Sequence, residues 1–145
     1  MADLQRIVQR FLIAAKPKPV LYLGLILDEA SLSRLLAWWN TTVGEELLGK
    51  YTAHHVTIQF KPTVDQVAHA DVGSRHSVRV VGWASDEKAQ AVVVQGIEVA
   101  QGQTPHVTLA VAPGVPPAHS KELVQKLTRT PGPTLTGTVE AVMGN

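Results

Sequence analysis

His55-Val56-Thr57-Ile58-Gln59-Phe60 and His106-Val107-Thr108-Leu109-Ala110-Val111 are the two stretches whose reading decides the fold. Each is a short apolar run rich in β-branched residues, the pattern of a strand. In an extended strand residues i and i+2 share a face. Each run therefore sets an imidazole beside a hydroxyl, with Val56/Ile58 and Val107/Leu109 facing the opposite way. Strict alternation also puts Phe60 on the face opposite His55. If the two strands lie together, two imidazoles and two hydroxyls line one cavity, an acid–base pair flanked by neutral hydrogen-bond donors and needing no metal. With 6 histidines in the chain, chance yields about half a His-x-Thr match. Two matches, both on strand-like runs and both followed by an aliphatic residue, exceed that background.

Working outward, Val20 to Leu27 reads as a buried strand. Asp28 or Ser31 can cap a helix carrying Leu32, Leu35, Leu36 and Trp39. Thr63-Val64-Asp65-Gln66 has the form of a capping box, which predicts a short helix over 63–70. His76 to Trp83 and Ala89 to Val94 bracket Ser85-Asp86-Glu87-Lys88 as a β-hairpin. Pro113-Gly114-Val115-Pro116-Pro117 makes a stiff loop, Ser120 can cap a helix through Leu127, and Thr134 to Met143 closes the chain as a strand. At the other end, Leu4, Ile7, Val8, Phe11, Leu12 and Ala15 follow the spacing of one apolar helix face, ended by Pro17 and Pro19. Strands and helices intersperse without strict alternation, so the expected class is α+β. The expected architecture is bilobal: two antiparallel sheets flank a central cleft, with helices outside and each lobe giving one His-x-Thr motif.

A length of 145 residues suits one domain spanning 1–145, with core enough to need no disulfide or metal. The absence of cysteine removes thiol nucleophiles and zinc-ribbon ligands and suits a reducing compartment. Thirteen Lys+Arg against 12 Asp+Glu lack the basic excess that holds long duplex nucleic acid. A small nucleotide or a short RNA end is the better match. The apolar stretch Phe11 to Ala15 is too short for a signal peptide, and no run approaches a membrane span. The expectation is a cytoplasmic monomer that binds no membrane and no cofactor.

Two His-x-Thr strands roughly fifty positions apart are similar to the signature of the 2H phosphoesterase superfamily. Within it, the chain resembles the catalytic domain of 2′,3′-cyclic-nucleotide 3′-phosphodiesterases and related RNA-processing members. Tyr22 to Leu27 looks like the family's aromatic-Gly strand, and Phe60 falls where a base-stacking phenylalanine closes the first motif. His106 to Ser120 is similar to the second motif and its loop, and Thr136 to Glu140 to the closing strand. Two positions depart from the family pattern: His119 stands for Gln, and Thr104 for an Arg two positions before the second histidine.

Opening a 2′,3′-cyclic phosphate requires a base for water and an acid for the leaving ribose oxygen, both titrating near neutrality, as imidazole does. Thr57 and Thr108 can hold the non-bridging oxygens and stabilise developing charge. The residues alone leave the acid and base unassigned. The resemblance implies His106 as base, His55 as acid and a 2′-phosphate product. It also implies substrate contacts from Phe60, Tyr22, His119 and Ser120; core packing competes for the two aromatics and helix capping for the other two. His54 alternates away from His55, which suggests a surface role. Asp65 and His69 have i, i+4 spacing, but two ligands do not make a metal site. Arg75, Arg79, Lys50 and Lys61 can form a modest basic rim. A nuclease or ligase for 2′,5′-linked or cyclic oligonucleotides is the alternative within enzymes; a non-catalytic nucleotide-binding module is the alternative outside them.

Overall fold

In the first strand, β1 (Val20–Leu27), Leu23, Leu25 and Leu27 alternate onto a buried face, as period-2 patterning requires. The computed structural model describes residues 19–144; the amphipathic helix expected before Pro17 lies outside that range. Asp28 caps α1 (Glu29–Trp38) by accepting from the Ser31 N–H at 2.8 Å. The helix widens into a π-helical turn over Trp39–Val43, closed by Gly44 at φ 72°. That turn seats Trp39 in the core, its indole N–H donating to the Glu45 carbonyl at 2.8 Å.

The order continues with β2 (His55–Phe60), α2 (Val64–His69), β3 (Arg75–Ser85), β4 (Ala89–Gln95) and β5 (His106–Val111). A short α3 (Ser120–Leu123), a two-residue β6 (Thr128–Arg129) and β7 (Thr134–Met143) complete it. Both halves of the capping box before α2 form: Thr63 Oγ1 accepts from the Gln66 N–H, and Gln66 Oε1 from the Thr63 N–H. The expected strands and the β3–β4 hairpin are present.

The class is α+β, but the strands join one sheet rather than two. Its order is β2-β1-β7-β3-β4-β5, with β6 beside β3, and every pairing is antiparallel. β7 supplies the join, because its length lets it pair with β1 on one side and β3 on the other. The sheet curls until its two edges, β2 and β5, approach each other, giving a nearly closed barrel. One apolar cluster draws on both ends of the sheet, including Leu25 and Val56 from one and Val92, Val107 and Leu109 from the other. Leu35 of α1 and Trp39 of the turn that follows it pack into the same cluster, where each fully buried aliphatic side chain contributes roughly 1.5–3 kcal/mol.

The two edge strands are interrupted at the same place. On β2, Thr57 pairs with Gly24 and Gln59 with Leu23, leaving Ile58 without a partner. On β5, Thr108 pairs with Ala91 and Ala110 with Gln90, leaving Leu109 without one. Each His-x-Thr motif is thus followed at once by a β-bulge, which frees a carbonyl and resets the alternation. The freed groups join the edges: the Ile58 carbonyl accepts from the Ala100 N–H, and the Leu109 carbonyl from the Thr52 N–H, both at 2.8 Å. The chain entering each motif is thereby tied to the bulge of the other.

Candidate active site

The bulges decide which side chains surround the histidines. Because Ile58 is extra, Phe60 returns to the face of His55 and Thr57, opposite Tyr22 on β1. This corrects the expectation from strict alternation, and the reason is the inserted residue. Phe60 is 48% exposed, so its ring is open to solvent rather than packed in the core. Lys61 Nζ lies 5.5 Å and Lys121 Nζ 5.9 Å from its centroid.

Tyr22 leans along β1 and stacks on His55, with ring centroids 4.5 Å apart and planes 22° from parallel. The path runs over Gly24, where a Cβ would sit 2.8 Å from Tyr22 Cε2. A glycine in the interior of a strand often marks such a close approach. Tyr22 Oη lies 3.5 Å from His55 Nδ1, and His55 Nε2 lies 3.1 Å from Thr57 Oγ1. His54, expected to turn away, instead swings its ring round the strand end. Its Nδ1 lies 3.1 Å from His55 Nδ1, with the rings edge to face. Burial, then the neighbouring His54 and His106, push the His55 imidazole down to about 4. Burial and the Glu140 carboxylate raise the Tyr22 phenol.

On the opposite edge, His106 Nδ1–H donates to the Thr104 carbonyl at 2.8 Å. That bond fixes the tautomer and leaves Nε2 as the basic nitrogen. Burial lowers the His106 pKa; the Thr104 bond opposes that shift and the Lys121 charge adds to it. Thr104 thus serves through its backbone.

Thr108 donates to Ser120 Oγ at 2.9 Å. Ser120 is fully buried inside α3, so it neither caps that helix nor offers a surface to substrate. It backs Thr108. His119 Nε2–H donates to Asp86 Oδ2 at 2.9 Å, tying this loop to the β3–β4 turn rather than to the cleft. That bond, with the N–H groups of Lys88 and Ala89, holds the Asp86 carboxyl down at about 2.

His55, Thr57, Tyr22 and Phe60 therefore meet on one edge, and His106 and Thr108 on the other, with the His106 charge felt at His55. Of the anticipated basic rim, Lys61 flanks Phe60, while Arg75 pairs with Asp28 at 3.1 Å. His69 Nδ1–H donates to the Asp65 backbone carbonyl, closing its helical turn. Among the described residues no three His, Cys, Asp or Glu side chains converge as a metal site. A separate apolar groove of about 460 Å³, lined by Val20, Leu21, Pro62, Val64 and Val67, contains none of the motif residues. No helix among the described residues is long and apolar enough to cross a membrane.

Sequence reasoning missed Lys121, the backbone role of Thr104 and the orienting role of Gly24. Gly24 was detectable, since a lone glycine within an otherwise aliphatic strand calls for a steric reason. Lys121 carried no signal, being one of seven lysines in the chain and part of no motif. No family model matches the chain, and no curated protein matches it.

Proposed function

We propose that the protein is a phosphodiesterase of the 2H phosphoesterase type, hydrolysing nucleoside 2′,3′-cyclic phosphates, or short RNA ends bearing them, to 2′-phosphates. The observation that carries this reading is the meeting of two His-x-Thr strands at the closing edges of one sheet. His106 is the base: with Nδ1–H held by Thr104, Nε2 takes a proton from water as its oxygen bonds to phosphorus. The bond from phosphorus to the 3′ oxygen breaks on the far side, and protonated His55 gives its proton to that oxygen. Thr57 and Thr108 hold the non-bridging oxygens: on binding, the Thr108 O–H turns from Ser120 Oγ to the phosphate, and the Ser120 O–H donates in return to keep the Thr108 oxygen in place. Phe60 stacks the base, a mode used for unpaired nucleotides. The same reading makes the protein a cytoplasmic monomer with no cofactor.

Both free imidazoles are shifted downward, so the form with one base and one acid is most populated on the acid side of neutrality. Above its pKa of about 4, His55 loses the proton it must donate. As pH falls through the His106 pKa, the base is lost. The pH profile of kcat/KM is expected to peak below 6.5, the ordinary histidine value. The deciding assay incubates purified protein with 2′,3′-cyclic AMP in the presence of EDTA and separates 2′- from 3′-AMP by chromatography. Formation of 2′-AMP supports the reading, and no turnover overturns it. Turnover of 2′,5′-oligoadenylate alone replaces it with the nuclease alternative.

A further inference from the structure

In the reactive form the four motif side chains hold one positive charge, on protonated His55, and that charge is given up with the proton His55 donates to the 3′ oxygen. A cyclic phosphodiester is an anion, and attack by water adds a second negative charge on the oxygens around phosphorus. Hydroxyls can orient on those oxygens but cannot neutralise them. A second cation within reach of both edge strands, one that keeps its charge through the reaction, offsets their charge.

Resting on the phosphodiesterase reading, we infer that Lys121 is that cation: its ammonium contacts a non-bridging phosphate oxygen and offsets the charge that builds there in the transition state. Its backbone is placed by the preceding residue, since Ser120 is buried and bonded to Thr108 on the β5 side. Its side chain reaches the other side, with Nζ 5.9 Å from the centre of the Phe60 ring on β2. Lys121 therefore spans the mouth between the two motifs, and its charge is felt at His106. The other candidates are placed differently. Arg75 is engaged by Asp28, and Lys61 follows Phe60 at the far end of β2. Without substrate the ammonium rests near the Phe60 ring, a cation–π position. When a base takes the ring face, the ammonium turns to the phosphate.

The test compares Lys121→Met, which keeps the chain length and removes the charge, with Lys121→Arg, which keeps the charge. With 2′,3′-cyclic AMP, Lys121→Met is expected to lose about 10²–10³-fold in kcat/KM, mostly in kcat. Lys121→Arg recovers most of it, and raising ionic strength slows the native enzyme more than Lys121→Met. Followed by NMR, the His106 ring titrates at higher pH in Lys121→Met than in the native protein. Lys121→Met activity within about threefold of native overturns the assignment. If the native enzyme shows no turnover, the phosphodiesterase reading falls instead. Inorganic phosphate binding, read at the His106 ring, then decides Lys121: loss of affinity in Lys121→Met but not Lys121→Arg supports it, and equal affinity overturns it.

Discussion

The β1–β2 pair and the β4–β5 pair are built on one plan and finished differently. In both, the histidine pairs with an aliphatic residue (Ile26 or Val93), the threonine with a small one (Gly24 or Ala91), and a bulge follows. Beyond the bulge the first pair sets Tyr22 against Phe60, and the second sets Ala89 against Val111. The large rings leave the first face open, with Phe60 in solvent. The small alanines let Leu123 and Val124 pack over the second face, in a cluster with Ala84, Ala89, Ala91 and Val93. Local sequence can thus repeat one side-chain pair on two edges, while the residues beyond each bulge make their surroundings different. One edge is left open, where the proposed function puts the ligand, and the other is braced behind its threonine.

The largest expected effect tests what the two edges share. His55→Ala and His106→Ala are each expected to lower kcat on 2′,3′-cyclic AMP by about 10²–10⁴-fold with unchanged circular dichroism. Near-normal rates in either would show that the edges are not partners. Thr57→Val and Thr108→Val follow, each costing about 10²–10³-fold. Ser120→Ala is expected to reduce the Thr108 contribution and to add little in a Thr108→Val background, because the two act as a unit. Full additivity would separate Ser120 from that role.

Smaller effects probe the differences. Gly24→Ala displaces Tyr22 from His55 and is expected to cost about tenfold in kcat/KM, on the order of 1.4 kcal/mol. The matching change on the other edge, Ala91→Gly, is expected to cost about 0.5–1 kcal/mol of stability and leave kcat unaltered. Equal loss of activity in both would erase the asymmetry. A titration effect separates the edges without touching the rate. His55 is depressed in the folded protein to about 4 from 6.5, so the unfolded chain binds its proton first as pH falls. Stability present above pH 6.5 is lost progressively toward pH 4. Allowing for solvent screening, this is on the order of 1–2 kcal/mol. His55→Gln should flatten that part of the pH dependence in chemical denaturation, and an unchanged slope would locate it elsewhere.

Much of this was legible in the sequence because period and capping are local properties. The limits of β1, β2, β5 and β7, the capping box at Thr63 and the Asp28 cap all follow from neighbours within a few residues. What escaped was set by pairing across the sheet. Nothing local marks Ile58 or Leu109 as the extra residue, so alternation misplaced Phe60. The number of sheets escaped for the same reason, since the ability of β7 to bridge β1 and β3 is a property of three distant segments. Ser120 looked like a helix cap because serine often is one; its bond to Thr108 depends on how the loop folds back.

The reciprocal bonds from Ile58 and Leu109 have a consequence for solubility. An open sheet ends in two rows of unpaired backbone groups that invite a strand from another molecule. Here both ends are interrupted by a bulge, and the carbonyl each bulge frees is occupied by Ala100 or Thr52. An incoming strand would find neither a continuous ladder nor a free acceptor at the centre of either edge. The arrangement that brings the histidines together also guards the protein against growth into fibres.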